Sequence, residues 1–103
     1  MKEIAYFRII DYQNRIRVRF LTFKGRVTEF LIQYETTIGD KWHPVVRYDT
    51  SHNRVHRDLL FRNGTKTKEF YGFKDFGSAL TFALEDLVSN WKNYFQTFEE
   101  VKK

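Results

Sequence analysis

Residues 16–34, IRVRFLTFKGRVTEFLIQY, decide the fold. Ile16, Val18 and Phe20 alternate with Arg17 and Arg19, the pattern of a half-buried strand. Gly25 interrupts the run, and Phe30, Ile32 and Tyr34 resume it. Folded back with Phe20 opposite Phe30, the stretch also sets Val18 on Ile32 and Ile16 on Tyr34. One face is then wholly apolar, and the other carries Arg17, Arg19, Glu29, Gln33 and Glu35. A slip of one residue sets Phe20 against Glu29 and mixes the faces. The expectation is an antiparallel hairpin with a three-residue loop centred on Gly25, one side facing a core and the other water.

The same reasoning extends to Trp42–Asp49 and Val55–Arg62. With Val46 opposite Leu59 and Pro44 opposite Phe61, Arg47 meets Asp58 and Asp49 meets His56. Neighbouring registers oppose Arg47 to Arg57 or Asp49 to Asp58, which like-charge repulsion disfavours. The chosen register leaves a loop from Thr50 to Val55. It also groups His43 with the polar residues. Ile4–Ile10 reads as a strand before these, and Lys66–Phe70, after the turn dipeptide Asn63-Gly64, as a short edge strand. Beyond residue 75 the period changes. Leu80, Leu84, Leu87, Trp91, Phe95 and Phe98 recur every three or four residues, with Asp75 or Ser78 as a cap. The fold class is α+β: one domain over residues 1–103, a meander of about five strands (about 4–70) with a long helix (about 75–98) across the apolar face.

Composition bounds the chemistry. The 103 residues carry 18 Lys plus Arg against 13 Asp plus Glu, a net charge of +5. Residues 1–74 hold 15 basic and 8 acidic side chains, so the positive field belongs to the strands. The absence of cysteine excludes disulfides, cysteine-ligated metal and thiol catalysis. No apolar run approaches the roughly 18 residues of a membrane span, and no signal peptide is visible. A cytoplasmic protein with no membrane partner is expected. Aromatic residues make up 18%, which allows a homodimer, since one helix covers only part of that surface.

All three histidines fall between His43 and His56. The run Arg47–Asp58 is dense in titratable and anion-binding groups. His52 and His56 are candidate proton-transfer residues, because imidazole titrates near neutrality. Asp49 faces His56 and orients it. Arg47, Arg57, Arg17 and Arg19 offer forks for phosphate, with Asp58, Glu29 and Glu35 in support. A metal bound by His52 and His56 with Asp49 or Asp58 is a lesser reading, and no metal or other cofactor is assigned. The plain alternative is a solvated sheet face of weak charge pairs.

The stretch VVRYDTSHNRVHRD, residues 45–58, resembles the core of an uncharacterised family of small prokaryotic proteins. That family has an Arg-Tyr-Asp-Thr-x-His segment and a His-Arg-Asp segment, then a helix with Asp and Asn on one side. The matching helix residues here are Asp86 and Asn90. The stretch is also distantly similar to the TumE-type toxins of toxin–antitoxin pairs, although their proline- and histidine-rich insertion is missing. The toxin likeness implies an RNA-directed activity and a small antitoxin-like protein partner.

Two functions are expected. One is a metal-independent ribonuclease, with His52 and His56 exchanging protons and Glu29 or Glu35 as substitute bases. The other is a non-catalytic RNA- or protein-binding module, with Tyr6, Tyr12, Trp42 and Tyr71 as stacking surfaces.

Overall fold

A computed structural model of the chain describes residues 1–100. Six strands run in chain order across one antiparallel sheet: β1 (Lys2–Asp11), β2 (Asn14–Phe23), β3 (Arg26–Ile38), β4 (Lys41–Asp49), β5 (Val55–Leu60) and β6 (Lys66–Tyr71). Helix α1 (Phe76–Glu100) then crosses one face. The α+β class holds, with six strands rather than five, because Lys66–Tyr71 pairs with β5 along its whole length.

The central hairpin adopts the register that its apolar alternation demands: Ile16 faces Tyr34, Val18 faces Ile32 and Phe20 faces Phe30. The turn differs from the expected three-residue loop. Thr28 bulges out of β3, so Thr22 pairs with Val27 and Phe23 with Arg26. The connection shrinks to Lys24-Gly25, at φ 52° and 78°. Positive φ at both central residues suits the twist of a two-residue hairpin, and the bulge absorbs the change of phase.

β4 and β5 also pair as expected, Val46 with Leu59, Arg47 with Asp58 and Asp49 with His56. A second bulge, at Val45, reverses the phase at the start of β4. Pro44 lies opposite Glu35 and His43 opposite Thr36. Thus Pro44 is not a ladder partner of Phe61, and His43 leaves the polar set in which simple alternation places it.

Asp75 caps α1, accepting the Ser78 backbone N–H at 2.7 Å on Oδ1. The backbone and side-chain bonds from Ser78 hold its carboxyl below the usual carboxylate value. The core of the helix–sheet interface is small on the helix side, with Ala79, Ala83 and Leu87 all essentially fully buried. The two alanines let the backbone approach β3. The larger Phe76, Trp91 and Phe95 pack around them. Trp91 meets Tyr34 edge-on at 5.9 Å between ring centroids.

Candidate functional site

Alternation assigns each ladder row to one side of the sheet. Away from the helix, one row runs Phe7, Arg17, Gln33, Arg47, Asp58 and Lys68 across all six strands. The next runs Ala5, Arg19, Leu31, Asp49, His56 and Phe70. This open face therefore gathers most of the residues singled out from the sequence.

Its centre is a chain of charge-assisted hydrogen bonds. Glu35 is nearly buried. It accepts from Arg15 Nε at 2.7 Å, Arg17 Nε at 2.8 Å and Gln33 Nε2 at 2.6 Å. Arg47 Nε in turn donates to Gln33 Oε1 at 2.6 Å. Burial pushes the Glu35 carboxyl up, but the donors from Arg17, Arg15 and Gln33 outweigh it and hold the group below its ordinary value. The Arg15 guanidinium is sandwiched between the Phe7 and Trp42 rings, 4.0 and 3.9 Å from their centroids. Beside this chain, Asp58 is buried and its Oδ1 has no hydrogen-bond partner, Lys68 Nζ lying 3.9 Å away.

A cleft opens at the end of this face where β4 turns into β5. Its volume is about 450 Å³, and its lining includes Arg19, Glu29, Asp49 and His52. The local sequence builds it. The chain leaves β4 after Asp49, and Thr50 Oγ1 takes over the Phe30 backbone N–H at 3.1 Å. Asp49 Oδ1 accepts the Ser51 N–H at 3.0 Å, forming a turn. A single 3₁₀ turn over Ser51–Asn53 follows, with His52 and Asn53 left-handed at φ 60° and 61°. Such a backbone costs about 1 kcal/mol or more in a non-glycine residue, and it holds the His52 ring out in water. On the same Oδ1, Asp49 also meets His56 Nε2 at 2.8 Å. His56 is only 2% exposed, and its Nδ1 lies 3.3 Å from the Arg54 carbonyl oxygen. Each ring nitrogen thus faces an acceptor. Arg19, exposed at the rim, is held by Glu3 at 2.9 Å and Glu29 at 3.3 Å.

The structure thus joins Asp49, His52, Arg19 and Glu29 in one cleft and places His56 beneath its floor. Arg17, Arg47 and Asp58 belong to the neighbouring polar row, and Glu35, one row further along, is bonded to it through Arg17 and Gln33. Among the described residues, no three histidine, aspartate or glutamate side chains converge as metal ligands.

Arg57 lies apart from the other candidate phosphate-binding arginines. Lying between His56 and Asp58, it points to the other side, opposite Tyr48 and under α1. There Arg57 Nη1 donates to the Tyr94 hydroxyl at 3.1 Å and Nη2 to Glu69 at 2.6 Å, while Nε is buried without a partner. Asp86 and Asn90 belong to this second cluster. Asp86 accepts from the hydroxyls of Tyr48 and Tyr94, and from Asn90 Nδ2 at 2.8 Å. Burial, then the bond to Asp86, pushes the Tyr94 hydroxyl up to about 12 and the Tyr48 hydroxyl higher still. Arg47 and His56 therefore face the open side of the sheet, and His43 and Arg57 the helix side. The register itself carried the signal, since a residue paired with Tyr48 shares the side of Tyr48. Tyr48 and Tyr94 give no such signal, because an aromatic residue at helical or strand spacing reads as core.

Fold and site together define a class: a helix-backed antiparallel sheet with an open, cation-rich face and a histidine-bearing cleft at one end. The chain belongs to the family described as Domain of unknown function (DUF7718), whose match covers residues 1–103. No curated protein and no solved structure matches the chain. No helix among the described residues is long and apolar enough to cross a membrane.

Proposed function

We propose that this chain is an RNA-directed protein that cleaves its substrate by acid–base chemistry in the His52 cleft. One observation carries the reading: a histidine, two carboxylates and a guanidinium, from His52, Asp49, Glu29 and Arg19, share a cleft of about 450 Å³. RNA brings its own nucleophile. Glu29, about half exposed, takes the proton of the 2′-hydroxyl, and the oxygen attacks phosphorus. The bond from phosphorus to the 5′-oxygen breaks, and the leaving oxygen takes a proton from the His52 imidazolium. The product ends are a 2′,3′-cyclic phosphate and a 5′-hydroxyl. Arg19 compensates the charge that builds on the phosphoryl oxygens.

His56 and Asp49 are positioning residues in this scheme. The sealed ring of His56 holds Asp49, and Asp49 holds the turn that presents His52. Glu35 is removed as a base by its three donors. The +5 net charge favours a polyanion. The likeness to TumE-type toxins supports the same substrate and adds a small antitoxin-like protein as partner.

A second reading, RNA binding without cleavage, is favoured by the ring–guanidinium stacks of the open face, Phe7 and Trp42 on Arg15 and Phe70 under Arg54. Incubation with a mixed-sequence RNA and mass spectrometry of the ends separates the two. Cyclic-phosphate ends that disappear in His52→Ala and Glu29→Gln support cleavage. Salt-sensitive binding with intact RNA selects the second reading. Wild-type protein that neither cleaves nor binds RNA sinks both.

A further inference from the structure

We infer that β1 is a self-association edge, through which two copies pair β1 to β1 antiparallel and join their sheets into one. The inference does not rest on the RNA reading.

The sheet has two edges, and they are built differently. β6 is six residues long and carries Lys66, Lys68 and Glu69, the short, charged design that discourages pairing. β1 is ten residues long, and its middle, Ile4–Phe7, carries no charge. Its backbone is paired on one side only, to β2. Tyr6, Phe7 and Ile9 are 46%, 43% and 66% exposed, apolar surface on both faces of one edge. Helix α1 packs mainly on β3, with lesser contacts to β4 and β5. A long edge with an uncharged, apolar middle is a template for another strand.

The occupant argued here is a second copy, because the strand matches itself. A two-fold axis normal to the sheet keeps open face beside open face, so opposed residues must share a side. The best overlapped register then sets Tyr6 on the partner's Tyr6, Ile4 on the partner's Arg8, Ala5 on the partner's Phe7 and Glu3 on the partner's Ile9. No like charges are opposed. The adjacent allowed registers set Lys2 on the partner's Arg8, or Glu3 on the partner's Asp11, and both are repulsive. The central tyrosine pair gains an aromatic cross-strand contact, and the interface is isologous, as a closed dimer requires.

Light scattering during size exclusion reads the result. Wild-type protein should run at twice 12.6 kDa. Tyr6→Lys and Tyr6→Glu should each run at 12.6 kDa, since each sets like charges on the axis. An equimolar mixture of the two should recover the doubled mass, because opposite charges then meet at one position. Circular dichroism shows whether each variant keeps the fold. A monomeric wild type, or a Tyr6→Lys variant that stays dimeric alone, overturns the proposal. Folded variants that fail to recombine overturn the register.

Discussion

The Tyr48 hydroxyl donates to Asp86 Oδ2 across 2.7 Å, tying the C-terminal end of β4 to the middle of α1. Tyr48 is 1% exposed, so its hydroxyl has no water to fall back on. Asp86 is the shared acceptor for this bond and for those from Tyr94 and Asn90.

Truncating the acceptor should therefore cost more than removing one donor. Asp86→Ala strands the buried Tyr48 hydroxyl, takes the acceptor from Tyr94 and Asn90, and is expected to destabilise by about 2–3 kcal/mol. Tyr48→Phe leaves Asp86 with two donors and is expected to cost about 1 kcal/mol. Urea unfolding of the two variants and of the double variant measures both and their coupling. Equal losses would show that Asp86 is not the hub.

Glu35 predicts the acid limb of the stability curve. Its folded carboxyl titrates below the usual 4.5, with burial opposing and the donors of Arg17, Arg15 and Gln33 prevailing. A depressed carboxyl contributes stability that is present above its unfolded value and is lost as pH falls through the folded value. Wild-type stability should thus drop as pH is lowered below about 4.5, and Glu35→Gln should flatten that drop. At neutral pH the same substitution should cost about 2 kcal/mol, because two arginines lose their shared partner. Denaturant melts between acid and neutral pH check both signs.

In the proposed mechanism, His52 sets stability against function. Its φ of 60° suits glycine better than histidine. His52→Gly is expected to raise stability over His52→Ala by about 1 kcal/mol, and both should abolish the proposed cleavage of RNA. Calorimetry beside the end-group assay tests the pair. If His52→Gly melts lower than His52→Ala, the left-handed backbone is not the strained element.

Gly25 and Gly72 make a matched control for backbone strain. A Cβ at either position meets no atom within 4 Å, but only Gly25 has a positive φ, 78°. Gly25→Ala is expected to cost about 1 kcal/mol through conformation alone, and Gly72→Ala close to nothing. Thermal unfolding of each variant reads the difference.

How much was legible in the sequence follows from these residues. Alternation in Ile16–Phe20 and Phe30–Tyr34 specified the hairpin register, because a one-residue slip buries Glu29. Opposed charges specified the pairing of Arg47 with Asp58 and of Asp49 with His56. The helix followed from apolar spacing, its start from Asp75. All of these are local or nearest-strand effects, in which a single misplacement costs buried charge.

What only the tertiary structure decided lies where phase changes or where distant elements meet. The bulges at Thr28 and Val45 move Gly25 and His43 without altering the alternation on either side. Arg57 of β5 and Asp86 of α1 are linked through the Tyr94 hydroxyl, since part-buried guanidinium and hydroxyl groups need partners that no neighbour in the chain supplies. His56 is sealed and His52 exposed for the same reason: burial depends on what the sheet and its turn stack above a residue, and that is not written in the four positions that separate them.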